Sequence, residues 1–314
     1  MLNYYRLKKQ SVSWVASLAR YLILIAFAYV LFYPFIFMII NSFKNTADWL
    51  DPTVQWIPKE FTFDNVIAAS QVLKYGTSLV STIVNGIISA LISFFSCAVV
   101  GYGLARFDFK GKNILVGIMI LLILVPDPML MIASYNNFRH FDFLGILNGI
   151  SQLIGVDIRP NLINTPLVFW LPALLGTGLK NGLFIYIYMQ FFKGLPKELE
   201  EASWIDGAGP WQTFIRIVLP SSGAAAITVL VFAVVWYYND HYQAQLYFSE
   251  GYTLSVMLAN FKANMTSGLS KEFTLSAGAL FTAASFITIA PLLVYFLFMQ
   301  RKFVQSIATC GIVG

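Results

Sequence analysis

The sequence predicts an all-α membrane protein with six transmembrane helices, and three observations lead there. Hydrophobic residues fill 58% of the 314 positions and charged ones only 11%, against roughly 25% charged in a soluble domain. Mean hydropathy is +0.71. The apolar positions gather into six runs of about 20 residues, the length a helix needs to cross the hydrocarbon of a bilayer. A spanning barrel would show weaker, ten-residue alternation instead.

The chain opens with a basic amphipathic arm over residues 1–20, carrying Arg6, Lys8, Lys9 and Arg20. It reads as an electrostatic membrane anchor. The first span covers residues 21–40, and a polar stretch rich in Trp, Pro and Asp follows over 41–78. The second span is 79–104, and the loop at 105–113 holds Arg106, Lys110 and Lys112. The third, 114–133, is broken near its end by Pro126-Asp127-Pro128. A connection over 134–165 leads to the fourth, 166–192, interrupted between Gly176 and Gly182. After a polar segment come the fifth span at 217–237, a connection at 238–275 and the sixth span at 276–299. Residues 300–314 are a tail.

Orientation follows from where the basic residues fall. Twelve of the 20 Lys and Arg lie in the arm, the 105–113 loop, the 193–216 segment and the tail; seven lie in the three longer connections. Both termini and the 193–216 segment are therefore expected on the cytoplasmic side. Tyr75, Tyr135, Trp170, Trp236, Tyr237 and Tyr238 at the other ends fit an interfacial aromatic belt. No small-residue cleavage pattern follows the first run, so no removable signal peptide is expected. The net charge of +5 comes from short loops beside apolar runs and carries no nucleic-acid signal.

Catalytic motifs are missing. There is no phosphate-cradling G-x-x-x-x-G-K-[ST] run, no nucleophile elbow, and no metal-ligand spacing around His140 or His241. Cys97 and Cys310 read as free thiols. An ion-coupled pump would place several ionisable residues inside its spans, and only Asp127 and Lys180 stand out. The sequence points to an external motor.

Residues 201–220 read as two short helices joined by a tight turn. Pro196 suits the first turn of the first helix, and Glu198, Glu200 and Glu201 place negative charge at its positive dipole end. Asp206-Gly207 breaks it, and Pro210 starts the second helix. Small residues at Ala202, Ser203 and Ala208 suit docking in another protein's groove; an amphipathic hairpin resting on headgroups is the alternative.

Within this segment Glu201, Ala202, Gly207, Ile217, Leu219 and Pro220 stand at the spacings Glu-Ala-Ala, three residues, Gly, nine residues, Ile, one residue, Leu-Pro. That pattern resembles the cytoplasmic signature of binding-protein-dependent ABC importer permeases, with Ser203 replacing the second alanine and 191-FFKGLPKELE-200 as a matching lead-in. Residues 126–172, Tyr252-Thr253-Leu254 and 300-QRKFV-304 are similar to the carbohydrate branch, as in the second permease subunit of the maltose importer and Gram-positive oligosaccharide permeases. Two departures are a longer 148–165 connection and a tail without the lysine often found before its last glycine.

The resemblance implies a type I ABC importer permease fold and a multi-pass subunit of the bacterial plasma membrane. It implies two ATP-binding subunits, a second homologous permease, an extracellular solute-binding protein and a carbohydrate, an oligosaccharide, as cargo. ATP and magnesium would sit on the partner subunit, with no cofactor on this chain and no enzymatic activity of its own. Glu201, Ala202, Ser203, Asp206, Gly207, Ile217, Leu219 and Pro220 would form the coupling element in a cleft of the ATP-binding subunit. In the 238–275 connection, Asn260, Asn264 and Gly268 would mark the loop reaching the binding protein; a solvent-exposed connection is the plain reading of the same residues.

Interrupted spans tend to mark translocation sites, which places Asp127, Lys180, Asn181 and Tyr186 on the expected substrate path. Phe184, Tyr186 and Tyr188 offer faces for sugar rings or serve only in packing. Lys180 either attracts an acidic sugar, or it snorkels, pairs with Asp127 or lines a wet cavity. Two rival classes are an ion-coupled carrier and a non-transporting scaffold. Within the importer class, another solute such as an amino acid or phosphate is the alternative.

Overall fold

A computed structural model describes residues 2–249, 253–266 and 276–310. Among them the regular structure is helical, with one isolated bridge between Lys44 and Phe61. In chain order the helices are α1 (Leu2–Ser42), α2 (Thr46–Leu50), α3 (Asp64–Val72), α4 (Tyr75–Arg106), α5 (Lys112–Leu124), α6 (Asp127–Arg139), α7 (Ile146–Ile154), α8 (Leu167–Leu174) and α9 (Asn181–Gly194). Then come α10 (Glu198–Ile205), α11 (Pro210–Thr213), a π-helical turn (Phe214–Val218), α12 (Leu219–Ser221), α13 (Gly223–Asn239), α14 (Tyr242–Tyr247), α15 (Leu254–Ala259), α16 (Phe261–Thr266) and α17 (Ala277–Cys310).

Three helical segments are long and apolar enough to cross a membrane: Ala16–Ser42, Tyr75–Arg106 and Ala277–Gln305. Two bent pairs qualify as broken spans. One is α5 with α6, bent by 107°, and the other is Pro210–Ser221 with α13, bent by 80°. The fourth apolar run forms α8 and α9, of 8 and 14 residues, each too short to span alone.

The chain divides into two compact units, Met1–Val72 with Lys262–Ile289, and Leu73–Phe261 with Ala290–Gly314. In the first, α1 carries Pro34 and leaves an apolar surface from Tyr21 to Ile39 uncovered. The turn after it is tied by buried polar groups. Lys44 Nζ donates to the carbonyls of Val54 at 2.8 Å and Gln55 at 3.1 Å, and the Asp48 carboxylate accepts from the N–H groups of Lys59 at 2.7 Å and Glu60 at 3.1 Å. Such groups need these partners, because burial without them costs the full desolvation penalty. Gly278 lies against the Trp49 ring so closely that a Cβ there would run into it.

The second unit is built on α4, which packs against α8, α9 and α13. Gly101 sets the α4–α9 approach, since an added Cβ would meet the Cβ of Tyr188 at 2.7 Å. The buried face of α4 is polar at helical spacing: Ser78, Thr82, Asn85, Ser89 and Ser93. Ser93 Oγ and Tyr237 Oη share a hydrogen bond of 3.0 Å, Ser96 Oγ donates to Ala173 O at 2.6 Å, and Thr82 Oγ1 accepts from Leu254 N at 2.8 Å. Below this stripe a core of Phe184, Tyr188, Phe192 and Phe214 is closed to solvent.

Several expectations are corrected here. The run expected as the fifth span, 217–237, is bent by 80° at Ser222, so residues 217–221 lie on the other side of the bend from α13. Pro196 precedes α10, which starts at Glu198. Tyr237 and Tyr238 are buried in the helix packing, so they form no interfacial belt. Phe184 and Tyr188 are core residues and present no face to a cargo.

Candidate functional site

The hairpin of α10 and α11 is held by local chemistry. Helix α10 ends in a Schellman arrangement: Gly207 N donates to Trp204 O at 3.0 Å and Ala208 N to Ser203 O at 3.0 Å. Gly207 sits at φ +84°, a conformation that costs other residues about 1 kcal/mol. Pro210 opens α11 in its first turn, where a missing N–H costs nothing. Ser203 is buried and shares a hydrogen bond of 2.6 Å between its Oγ and Thr213 Oγ1. It therefore clasps the two helices together and does not face outward.

The three glutamates of the first turn divide by environment. Glu198 and Glu201 are exposed, and Glu200 is buried. Glu200 Oε1 lies 2.6 Å from Arg106 Nε, with side chains 6% and 7% exposed. The pair is close but not aligned as a hydrogen bond between those two atoms. Arg106 Nη2 donates to Leu195 O at 2.7 Å, and Tyr102 Oη donates to Glu200 Oε2 at 3.3 Å. Ala202, Asp206 and Pro220 are exposed, while Ile217 and Leu219 are half-buried. Trp204, Ile205 and Trp211 add exposed apolar surface, with Ile205 86% exposed.

A second site lies where two helices break. A cavity of about 230 Å³ is lined by Asp127, Ser134, Thr177, Lys180, Gln243 and Tyr247, among others. Asp127 opens α6, and Lys180 precedes α9 in the left-handed region at φ 60°. Lys180 Nζ pairs with Asp127 Oδ2 at 2.7 Å, each about one-third exposed. Asn181 is fully buried and donates to Ala173 O at 3.1 Å, behind the cavity and not in its wall. Tyr186 is 42% exposed and is no part of the lining. Asn260 follows α15 and Asn264 lies on α16; Gly268 and Tyr252 lie outside the described residues. No group of His, Cys, Asp or Glu among the described residues could hold a metal ion.

Residues 97–308 match the family described as "Binding-protein-dependent transport system inner membrane component". The chain belongs to this family. It is 28% identical over 284 residues to the trehalose transport system permease protein SugB of Mycobacterium tuberculosis, covering 90% of this chain and 92% of that one. It is 25% identical to the arabinooligosaccharides transport system permease protein AraQ of Halalkalibacterium halodurans, covering 95% and 98%. A solved bacterial ABC transporter involved in the import of the acidic polysaccharide alginate superposes with a TM-score of 0.70 at 18% identity, over 92% of this chain and 96% of that one. That likeness shows the fold.

As a member of the inner membrane component family, the chain is the membrane part of a transport system and not an enzyme. The sequence alone missed the Arg106–Glu200–Tyr102 cluster. Its charges are 94 residues apart, and each has an ordinary local explanation, Arg106 as a loop cation and Glu200 as a dipole partner. The orphaned amide of Asn85 and hydroxyl of Ser89, both buried without a hydrogen-bond partner, also left no signal beyond helical spacing.

Proposed function

We propose that this chain is a permease subunit of an ATP-driven importer that carries an oligosaccharide into a bacterial cell. It would sit in the plasma membrane with a second, homologous permease and two ATP-binding subunits, and an extracellular binding protein would deliver the sugar. The observation that carries this reading is the hairpin. Glu201 is exposed on α10 beside Trp204 and Ile205, in a hairpin whose geometry is fixed by Gly207 and the Ser203–Thr213 clasp. An exposed carboxylate flanked by large apolar side chains on a pre-formed hairpin suits a protein cleft with a basic residue in it.

The cargo is read from the cavity and the relatives together. The relatives are named for trehalose and arabinooligosaccharides. In the cavity, Lys180 is neutralised by Asp127, which leaves a donor and an acceptor side by side with hydroxyl and amide groups around them. That combination recognises sugar hydroxyls and favours an uncharged oligosaccharide over a uronate. Asn181 and Tyr186 would support the path from outside the cavity wall, and Asn260, Asn264 and Gly268 would lie on the loop toward the binding protein.

The test is uptake into proteoliposomes holding the full complex, with radiolabelled trehalose, arabinotriose and a uronate trisaccharide as probes. Lys180→Ala and Asp127→Asn should each lower uptake of the neutral probe that is carried by about tenfold, the loss of one charge-assisted hydrogen bond. Uptake of the uronate alone, abolished by Lys180→Ala, would reverse the cargo assignment.

A further inference from the structure

We propose that the buried Arg106–Glu200 pair is a rigid strut that makes the inner end of α4 move with the coupling hairpin. The proposal rests on the coupling role given to the hairpin above and adds the part that transmits its motion.

Helix α10 has 8 residues, too few to hold a position by its own stability. Its clasp to α11 through Ser203 and Thr213 joins it only to the other half of the hairpin. The Glu200 carboxylate is the polar link that crosses to another helix. It meets Arg106 at 2.6 Å, at the last residue of α4, and Tyr102 one turn earlier on the same helix. The Arg106 guanidinium also holds Leu195 O at 2.7 Å, at the exit of α9. One cation thus fixes the end of α4, the exit of α9 and the first turn of α10.

Burial makes this junction stiff. With both side chains more than nine-tenths buried, separating the charges would strand each in a low-dielectric setting without a partner. A displacement of α10 must therefore carry α4 with it. Tyr102 also packs its ring against Phe192 and Phe214, with centroids 5.9 Å and 5.1 Å away, so the same residues join α9 and the π-helical turn. Helix α4 is the element on which α8, α9 and α13 pack, so movement at Arg106 reaches the whole second unit.

The experiment uses the full complex in nanodiscs with spin labels at Lys110 and Glu198, both exposed, and compares the nucleotide-free state with the ATP–vanadate-trapped state. In the parent the Lys110–Glu198 distance should not change. In the apolar double variant Arg106→Met with Glu200→Leu, which removes both charges and so strands neither, the trapped state should show that distance shifted or broadened by about 5 Å, one helical turn. A parent distance that changes by that much on trapping, or an apolar variant indistinguishable from the parent, overturns the strut. Failure of the ATP-binding subunits to co-purify, or of the parent complex to trap nucleotide, would instead overturn the coupling role on which it rests.

Discussion

Gly207 and Glu201 show how little chemistry the coupling hairpin needs at the level of single residues. Gly207 has open space around its Cα, so the constraint there is conformational and not steric. A side chain at φ +84° costs about 1 kcal/mol, enough to shift the turn but too little to unfold a packed protein. Glu201 has no partner among the described residues and is exposed, which leaves it for another chain. Gly207→Asp and Glu201→Lys are therefore expected to abolish uptake while membrane insertion and detergent melting temperature stay near the parent's. Full transport by either variant would remove the coupling assignment. The turn at Gly207 was readable from the residues alone, because a glycine that ends a helix acts locally. Ser203 was not: a small residue suits close helix approach whether it faces a partner or its own hairpin, and only the fold shows Thr213 opposite it.

At the scale of elements, breaks in helices carry the functional interest, and the sequence located them by Pro and Gly. Pro126 ends α5 and the 107° bend follows, because proline supplies no N–H to continue the ladder. Gly176 at φ +74° and Lys180 at φ +60° turn the chain between α8 and α9. The bend at Ser222 is passed over when 217–237 is read as one apolar run, although Pro220-Ser221-Ser222-Gly223 is a breaker cluster inside it; the π-helical turn precedes the bend, and Ser222 Oγ donates to Leu219 O at 2.7 Å.

The junction between α13 and α14 has its own consequence. The Asp240 carboxylate accepts from Ala244 N at 3.0 Å and Gln243 N at 3.4 Å. Burial pushes its carboxyl up to about 6, against the pull of those two N–H groups and of His241. Folding then favours the protonated form, so stability falls as pH rises from about 4 through about 6 and stays lowered above it. Asp240→Asn keeps a capping acceptor and removes the charge. It should raise the melting temperature at pH 8, by an amount worth roughly 3 kcal/mol, and change little at pH 4. An equal effect at both pH values would show that the carboxylate carries no such cost.

For the whole molecule, composition decided the class and the signature decided the family, because both survive without knowledge of packing. Polar contacts across distant helices did not survive in that way, since Arg106 and Glu200, or Ser93 and Tyr237, find each other only once α4, α10 and α13 are assembled. The proposed six spans rest on the six apolar runs, and the proposed placement of both termini in the cytoplasm rests on the uneven spread of Lys and Arg. It predicts that a cysteine placed at Glu198 in intact cells reacts with a membrane-impermeant maleimide only after the membrane is opened, whereas one placed at Thr53 reacts from outside. Labelling of the Glu198 position from outside would invert the topology and put the hairpin out of reach of any cytoplasmic ATPase.

The π-helical turn at Phe214–Val218 accommodates one residue beyond the α-helical repeat, as such bulges do. The polypeptide therefore stores a single unit of slack between α11 and α12, ahead of the bend that leads into α13. Losing one residue there would close the bulge into an ordinary helix, shorten the nine-residue spacing from Gly207 to Ile217 and take away a cause of the bend at Ser222, so the turn ties chain length to the angle at which the hairpin meets α13.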